Sequence, residues 1–364
     1  MSLEGENTKE AVLQALSEIT DPAFDQNIVE LDYVRHVRAC GGVVAFDLVL
    51  PTPAHPHRAI LQEAARQRVS ALPSVTQVNV TVDAEVRSAT PGRSVPSSVK
   101  NIIAVASGKG GVGKSTVAAN LALALSQTGA RTGLMDADVY GPSIPILMGV
   151  SQQPQISASE KLLPLVSHGV KLMSIGFLAG DGAPVIWRGP MVSKLLQQFL
   201  SDVDWGDLDY LVIDLPPGTG DAQLTLCQTA TLSGAVVVTT PQEVALEDVN
   251  RAINMFAKVN VPIIGIVENM SYFVCRHCGE REDIFLHGGG RRAAESLGVP
   301  FLGEIPIDPQ ICSGGDNGTP IVVQYPDSPQ SVAFCGIAAQ VAVSLSRMAS
   351  ETPAEPEDLL RVIS

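Results

Sequence analysis

The sequence predicts an α/β fold, a doubly wound and mostly parallel sheet, preceded by a small α+β domain. From residue 101 to about residue 346, short apolar strands at 131–135, 210–213, 235–239 and 263–267 alternate with helical stretches. That alternation is the pattern of strands buried on both faces by crossover helices. A glycine-rich turn at 107–116 lies between an apolar strand and an Ala/Leu-rich helix, the order of a phosphate-binding unit. Residues 88–98, with Pro91, Gly92, Pro96 and several serines, read as an exposed linker. At 364 residues the chain also exceeds what one core usually serves, so two domains are expected.

In the first domain, residues 1–87, a helix is expected at 8–19, a turn at Asp21-Pro22 and a strand at 29–38. A hairpin at Gly41-Gly42 leads into a strand at 43–50, then a helix near 57–71 and a strand near 75–82. The linker 88–98 opens onto the main domain, 99–346, whose first strand is the apolar run 102–106 and whose first helix, 117–126, is stopped by Gly129. Residues 347–364 read as an acidic tail with at most a short helix at 359–363.

Lysine and arginine number 24 against 38 aspartates and glutamates, a net charge of −14, and neither terminus carries a basic run. Nonspecific binding to nucleic acid or to anionic lipid is therefore not favoured, and cationic or protein partners are. No run of eighteen apolar residues exists, and the polar, acidic start is neither a signal nor a transit peptide, so a cytoplasmic or cytosol-like site of action is expected. Six cysteines in so long a chain do not make a disulfide framework. Cys40, Cys227, Cys312 and Cys335 stand in apolar or turn contexts, where free cysteine acts as a small hydrophobe.

The turn reads Ser107-Gly-Lys-Gly-Gly-Val-Gly-Lys-Ser-Thr116, a complete phosphate loop with a second lysine after its first glycine. Gly108, Gly110, Gly111 and Gly113, with Val112 between them, let successive N–H groups turn inward around a triphosphate with no Cβ in the way. Lys114 supplies a cation to the β- and γ-phosphates, Ser115 offers a hydroxyl to Mg²⁺, and Thr116 lies in the helix N-terminus that faces the anion. ATP and Mg²⁺ are the ligands so named.

In a doubly wound sheet ligands sit at the carboxyl ends of strands. Asp136 and Asp138 follow one strand and are candidates either for orienting an attacking water or for plain strand-end turns. Asp214 ends another and can hold Mg²⁺ through its water shell, while Gly218 and Gly220 give the next loop freedom to respond to the γ-phosphate. Asn269 follows a third, where its amide could read a purine edge or simply form a turn.

Together, the Lys109/Lys114 loop, the segment Asp136-Ala-Asp-Val-Tyr140-Gly-Pro-Ser143, Trp187-Arg188-Gly189-Pro190, Asp214-Leu-Pro-Pro-Gly-Thr-Gly-Asp221 and Glu268-Asn-Met-Ser-Tyr-Phe-Val-Cys275 resemble the Mrp/ApbC family. These are iron–sulfur cluster carrier ATPases of the deviant Walker A class, related to MinD, ParA and the nitrogenase iron protein. The resemblance covers about residues 99–346. It implies a homodimer in which Lys109 reaches across to the partner's phosphates, and apo iron–sulfur proteins and cluster scaffolds as partners. Residues 1–87 resemble the SufT-like domain often fused to such carriers, with two departures: His55 stands where that domain usually has cysteine, and Ala23 where an acidic residue often follows Asp-Pro. An imidazole can still bind metal; a docking or regulatory role for these residues is the alternative.

Cys275-Arg-His-Cys278 is the one Cys-x-x-Cys of the chain, with Gly279 after it. Two thiolates are half of a four-ligand site, and a two-fold axis through a homodimer supplies the other half, which matches the bridging [4Fe–4S] cluster the resemblance implies. A bridging Zn²⁺ on the same four sulfurs and a dithiol redox couple remain open, as does a mononuclear site that His277 or His287 joins. Two other functions stay in view: a positioning ATPase like MinD or ParA, and an electron-transfer ATPase that keeps its cluster. The first needs a basic surface or a basic amphipathic helix, which the charge pattern does not offer.

Overall fold

The computed structural model describes residues 3–73, 75–90, 96, 98–139, 141–178, 189–218 and 221–351. The chain divides into two compact units, Met1–Arg87 and Ser88–Ser364.

The first unit holds α1 (Leu3–Ser17), β1 (Val34–Cys40), β2 (Val43–Leu50), α2 (Arg58–Ser70) and β3 (Gln77–Ala84). Gly41 and Gly42, at φ of 55° and 80°, turn β1 into an antiparallel partner of β2, and the α2 crossover brings β3 parallel to β2. Strand β2 alternates, so that Val44, Phe46, Leu48 and Leu50 are buried in a core with Val12 and Leu16 of α1 and Leu61, Ala65 and Val69 of α2. The strand expected at 29–38 starts later. Asn27 Oδ1 accepts from the N–H groups of Val29 and Glu30, and Tyr33 N–H donates to Ile28 O, which folds residues 27–33 into turns.

The second unit is built on an eight-stranded sheet. Its strands are β4 (Val99–Ala106), β5 (Thr132–Asp136), β6 (Leu165–Ser167), β7 (Val170–Ser174), β8 (Leu208–Asp214), β9 (Gly234–Thr239), β10 (Ile263–Glu268) and β11 (Phe301–Glu304). The spatial order is β11-β10-β9-β4-β8-β5-β7-β6, parallel throughout except for the edge pair β6 and β7. The expected doubly wound α/β fold is thus observed. The chain runs outward from β4 on one side and returns to the other, so β4 stands at the topological switch, where ligand crevices open.

Helices cover both faces: α3 (Lys114–Gln127), α4 (Gly189–Ser201), α5 (Asp221–Thr229), α6 (Glu243–Lys258), α7 (Gly289–Leu297) and α8 (Pro329–Glu351). Ile102, Ala104 and Ala106 of β4 join one core cluster with Phe199, Leu211, Val237 and Phe256. Ile103 and Val105 are equally buried and, by the pleat, face the opposite layer. There α3 lies between sheet and α8, which is why its small residues are buried nearly all round from Val117 to Leu125.

Helix α8 is long and apolar enough to cross a membrane, yet its Phe334, Ile337, Val341, Ala342 and Leu345 are buried in this unit. It also runs through residues 347–351, so the tail begins later than expected. The helix expected at 359–363 lies outside the described residues.

Phe256→Ala removes a fully buried ring from the central cluster and should cost about 3–5 kcal/mol. Urea unfolding checks this, and a midpoint equal to the parent's would contradict the packing described.

Candidate functional site

Strand β4 delivers the chain into the glycine-rich loop at Ser107, and α3 takes it away at Lys114. Gly111 and Gly113 adopt φ of 81° and 80°, which side chains rarely accept. Two other glycines are required by neighbours: a Cβ on Gly108 would stand 2.3 Å from Asp248 O, and one on Gly113 would stand 2.3 Å from Asn269 Nδ2. Ser107 Oγ donates to Lys109 O at 2.9 Å and steadies the first turn. No side chain caps the N-terminus of α3, so its first N–H groups are left for an anion. The resulting cleft, about 290 Å³, is lined by Lys109, Gly110, Gly111, Lys114, Ser115 and Asp138, among others.

Lys114 is the buried cation of this cleft. Its Nζ lies 2.5 Å from Asp214 Oδ1, 3.3 Å from Ser115 Oγ and 3.9 Å from Asp138 Oδ2. Asp214 is fully buried; burial pushes its carboxyl above the usual range, and Lys114 works against that rise. The other oxygen of Asp214, Oδ2, is buried with no hydrogen-bond partner. An unpartnered carboxylate oxygen beside a serine hydroxyl fits Mg²⁺, a cation that takes oxygen ligands and keeps waters. Lys109 is half-buried at the cleft and makes no ion pair among the described residues.

Of the two aspartates expected at the attacking water, only Asp138 lines the cleft. Asp136 is fully buried, and its oxygens accept from Asp138 N–H at 3.1 Å, Ile144 N–H at 3.2 Å and Ser174 Oγ at 3.0 Å. Three of its acceptor positions are taken by the loop and its neighbour strand, which makes it a loop-holding group. Burial and the charge of Asp214, its register partner on β8, raise its carboxyl to about 7.

The loop after β8 also touches the phosphate loop, Gly218 N–H donating to Ser107 O at 3.1 Å with φ of 92°. Buried Gln223 of α5 holds that loop through Nε2 on Pro216 O, a contact for which the sequence offers no signal. Tyr140, Trp187, Arg188, Thr219 and Gly220 lie outside the described residues.

Asn269, expected either to read a purine edge or to form a turn, lies against the phosphate loop. Its Nδ2 donates to Val112 O at 2.8 Å, so the amide braces the phosphate loop. The preceding Glu268, not anticipated from sequence, is buried and accepts from Ser271 Oγ, Gly288 N–H and Gly290 N–H, which ties the end of β10 to the start of α7.

Six residues beyond Asn269 the thiols emerge. Phe273–Val274 pairs with Arg281–Glu282 in a minimal hairpin whose loop is closed by Cys275 N–H to Glu280 O at 2.9 Å and Gly279 N–H to Cys275 O at 2.8 Å. Gly279 supplies the required φ of 74°. The N–H groups of Cys278 and His277 point at the Cys275 sulfur and hold its pKa below the ordinary thiol value. Cys278 is exposed.

His287 is drawn elsewhere. It forms a group with Glu268 and Glu304, but Arg281 Nη2 sits 2.6 Å from His287 Nδ1 and 3.6 Å from Glu304, with Arg291 3.5 Å from the latter. Guanidinium groups already provide the positive charge a metal would bring. Of the other cysteines only Cys227 is a buried hydrophobe, its thiol pushed up to about 12 by burial; Cys40, Cys312 and Cys335 are exposed, contrary to expectation.

In the first unit, His55 is buried with Nε2 3.0 Å from Asp21 Oδ2 and Nδ1 accepting from His57 N–H. Burial acts to raise Asp21, but His55, the Ala23 N–H and Tyr33 outweigh it and hold its carboxyl below the usual range. Nδ1 is engaged by the His57 N–H, while Nε2 lies against Asp21 Oδ2 in the core without a well-formed hydrogen bond.

A family profile described as ParA, NUBPL iron-transfer P-loop NTPase, matches residues 98–342, and one described as iron-sulfur cluster assembly protein matches residues 9–82. An iron-sulfur cluster carrier protein of Synechocystis is 48% identical over 349 residues, covering 94% of this chain and 99% of that protein. The iron-sulfur cluster transfer protein NUBPL of Dictyostelium discoideum is 53% identical over 245 residues, 67% of this chain and 76% of that protein. Among solved structures, a nucleotide-binding protein of Archaeoglobus fulgidus in complex with ADP matches with a TM-score of 0.58 at 41% identity, over 65% of this chain and 93% of that one. MinD of Pyrococcus horikoshii, complexed with Mg-ADP, matches with a TM-score of 0.50 at 24% identity over 65% and 94% of the two chains, a likeness of fold alone.

Lys114→Met leaves Asp214 buried without its cation and should lower stability by about 3–5 kcal/mol, largely restored by adding Asp214→Asn. Calorimetry of the two variants checks it; equal losses in both would deny the pair its role. Asp136 gives a pH signature. Its folded pKa, about 7, exceeds the ordinary unfolded value, so the native chain holds a proton the unfolded chain releases between about pH 4 and 7. That contribution is complete at low pH and is lost as pH rises through 7. Asp136→Asn should therefore gain on the parent by up to about 1.4 kcal/mol per pH unit across that window, read from urea midpoints.

Proposed function

The chain belongs to the ParA/NUBPL family of iron-transfer P-loop NTPases, and from that premise we propose that it is an ATP-dependent iron–sulfur cluster carrier. Its cargo is a [4Fe–4S] cluster held at a homodimer interface and delivered to apo-proteins, with ATP hydrolysis as the switch. It works in the cytoplasm, with scaffold and acceptor proteins rather than membrane or nucleic acid as partners. One observation carries the reading: Cys275 and Cys278 stand on an open hairpin, and among the described residues no third ligand atom forms a metal-binding group with them. A two-fold axis through the site supplies two more thiolates, the four that such a cluster takes.

ATP enters the cleft between the loop and the ends of β5 and β8. Its phosphate oxygens are received by the loop N–H groups and the open N-terminus of α3, and they compete with Asp214 for Lys114 Nζ. Ser115 and the released Asp214 would hold Mg²⁺, whose charge neutralises the β- and γ-phosphate oxygens. Asp138 orients the water that adds to the γ-phosphorus as the bridging oxygen departs with ADP, and Lys109 of each subunit reaches the nucleotide of the other. Interface contacts depend on which nucleotide is bound, and retention of the cluster changes tenfold for each 1.4 kcal/mol by which the two dimer arrangements differ.

Iron and sulfide analysis after anaerobic reconstitution tests the carrier reading. About four iron and four sulfide per dimer are expected, absent in Cys275→Ala/Cys278→Ala; zinc alone, or no metal, would leave a switch ATPase without cargo. Lys109→Ala should lose hydrolysis with its fold intact, and normal turnover by that variant would remove the cross-dimer contact.

A further inference from the structure

We infer that Arg276 is a positioning residue for the cargo: its ion pair with Asp308 fixes the turn that carries Cys275 and Cys278, and thereby sets how long that turn retains a cluster. The inference rests on the reading of Cys275 and Cys278 as the cluster's thiolates.

The turn has little order of its own. Its flanking strands, Phe273–Val274 and Arg281–Glu282, are two residues each, and a lone two-stranded hairpin is marginal in water even when longer. Inside the turn, Cys275 N–H donates to Glu280 O and Gly279 N–H to Cys275 O, contacts that shape the loop without attaching it to the rest of the unit. The base is attached, since Ile307 N–H donates to Tyr272 O and Phe273 is bridged to Ile307. Across residues 275–280, Arg276 alone forms a hydrogen bond or ion pair with a residue outside the hairpin, among the described residues.

Asp308, the other half of the pair, is a fixed point. Its side chain is 11% exposed, against 52% for Arg276. Asp308 Oδ1 accepts from Gln310 N–H at 2.7 Å as the N-cap of the helix Pro309–Asp316, and Oδ2 accepts at 3.1 Å from Nε2 of Gln330, a buried residue of α8. Base and tip of the hairpin thus lean on adjacent residues, Ile307 and Asp308. Arginine suits the task because its planar fork meets a carboxylate in a defined geometry, where lysine is a point charge on a flexible stem.

The guanidinium acts by placement. The N–H groups of Cys278 and then His277 lower the Cys275 thiol, with Glu282 opposing them, while Arg276 faces Asp308. Placement counts twice in a symmetric site, because a two-fold axis repeats in one turn any disorder of the other. A turn that is already ordered loses little freedom when it takes up a cluster, whereas a loose turn loses more and releases its cargo sooner. Groups that orient metal ligands from behind are typically worth about 10–100-fold in affinity.

The test compares the full-length parent with Arg276→Lys, Arg276→Ala, Asp308→Asn and the double variant Arg276→Ala/Asp308→Asn. Asparagine removes the charge and keeps an acceptor for the helix cap. In the metal-free chain, amide hydrogen exchange of peptides spanning 272–282 should quicken in Arg276→Ala at an unchanged urea midpoint, since an exposed turn opens apart from the core. After anaerobic reconstitution, loss of the cluster's visible absorbance to an excess iron chelator should be about tenfold faster in Arg276→Ala and in Asp308→Asn. The double variant should be no faster than the worse single, because one pair is broken in each, and Arg276→Lys should fall between parent and Arg276→Ala. Loss at the parent's rate in either single variant overturns the inference, as do additive effects in the double. Slower loss in Asp308→Asn overturns it too, since the freed guanidinium would then serve the cluster directly. A parent that takes up no iron and sulfide removes the carrier reading and the retention claim with it. The exchange measurement is independent of cargo, and unquickened exchange in Arg276→Ala overturns the anchor itself.

Discussion

The buried pairing of Lys114 with Asp214 is the interaction on which the site depends. Neither charge is tolerable alone in this interior: Asp214 is fully enclosed and Lys114 nearly so, and each offsets the desolvation of the other. The parallel register sets the pair. Asp214 lies opposite Val105 of β4 on one side and Asp136 of β5 on the other, at the level where β4 gives way to the loop. The same ammonium is the natural counter-ion of a triphosphate. Under the proposed function, phosphate oxygens would compete with Asp214 for that ammonium, and Oδ2, which no protein group satisfies, would be left to Mg²⁺.

Around that pair, the loop is shaped from outside as much as from within. Asp248 crowds Gly108 and Asn269 crowds Gly113, so the close approach of helix α6 and of the segment after β10 demands glycine at these positions. Asp136 and Gln223 do equivalent work on the flanking loops, the first gathering the turn after β5 and the second the turn after β8. Their effect is to fix the cleft's donors before a ligand arrives, which is how electrostatic preorganisation is obtained.

The thiol site follows the opposite rule. It is at least partly exposed and lightly held, and its Cys275 thiol is lowered chiefly by the N–H groups of its own turn, against the charge of Glu282. Such a site suits cargo that must leave, whereas the phosphate loop suits a ligand that must be held in register. In the first unit, His55, which stands where the SufT-like resemblance expects cysteine, lies 3.0 Å from Asp21 Oδ2 and accepts from the His57 N–H inside the core. Its imidazole helps hold the Asp21 carboxyl below the usual range, and for this unit a docking or regulatory role is proposed.

Much of this was legible from sequence because it depends on neighbours along the chain. The phosphate loop needs backbone angles that glycine alone supplies cheaply, the strands of a doubly wound sheet need continuous apolar runs, and a Cys-x-x-Cys-Gly turn needs its own local N–H groups. What only the tertiary structure decided depends on groups that are distant in sequence. Asp136 and Asp138 differ by two positions, yet Ser174 and Ile144 claim the first and leave the second to the cleft. The late start of β1 was decided by the Asn27 side chain, which captured two backbone N–H groups that a strand would have used. Asn269 meets Val112 only because β10 and β4 are brought into one sheet, and no periodicity along the chain encodes which of an amide's possible partners the fold will place within 2.8 Å.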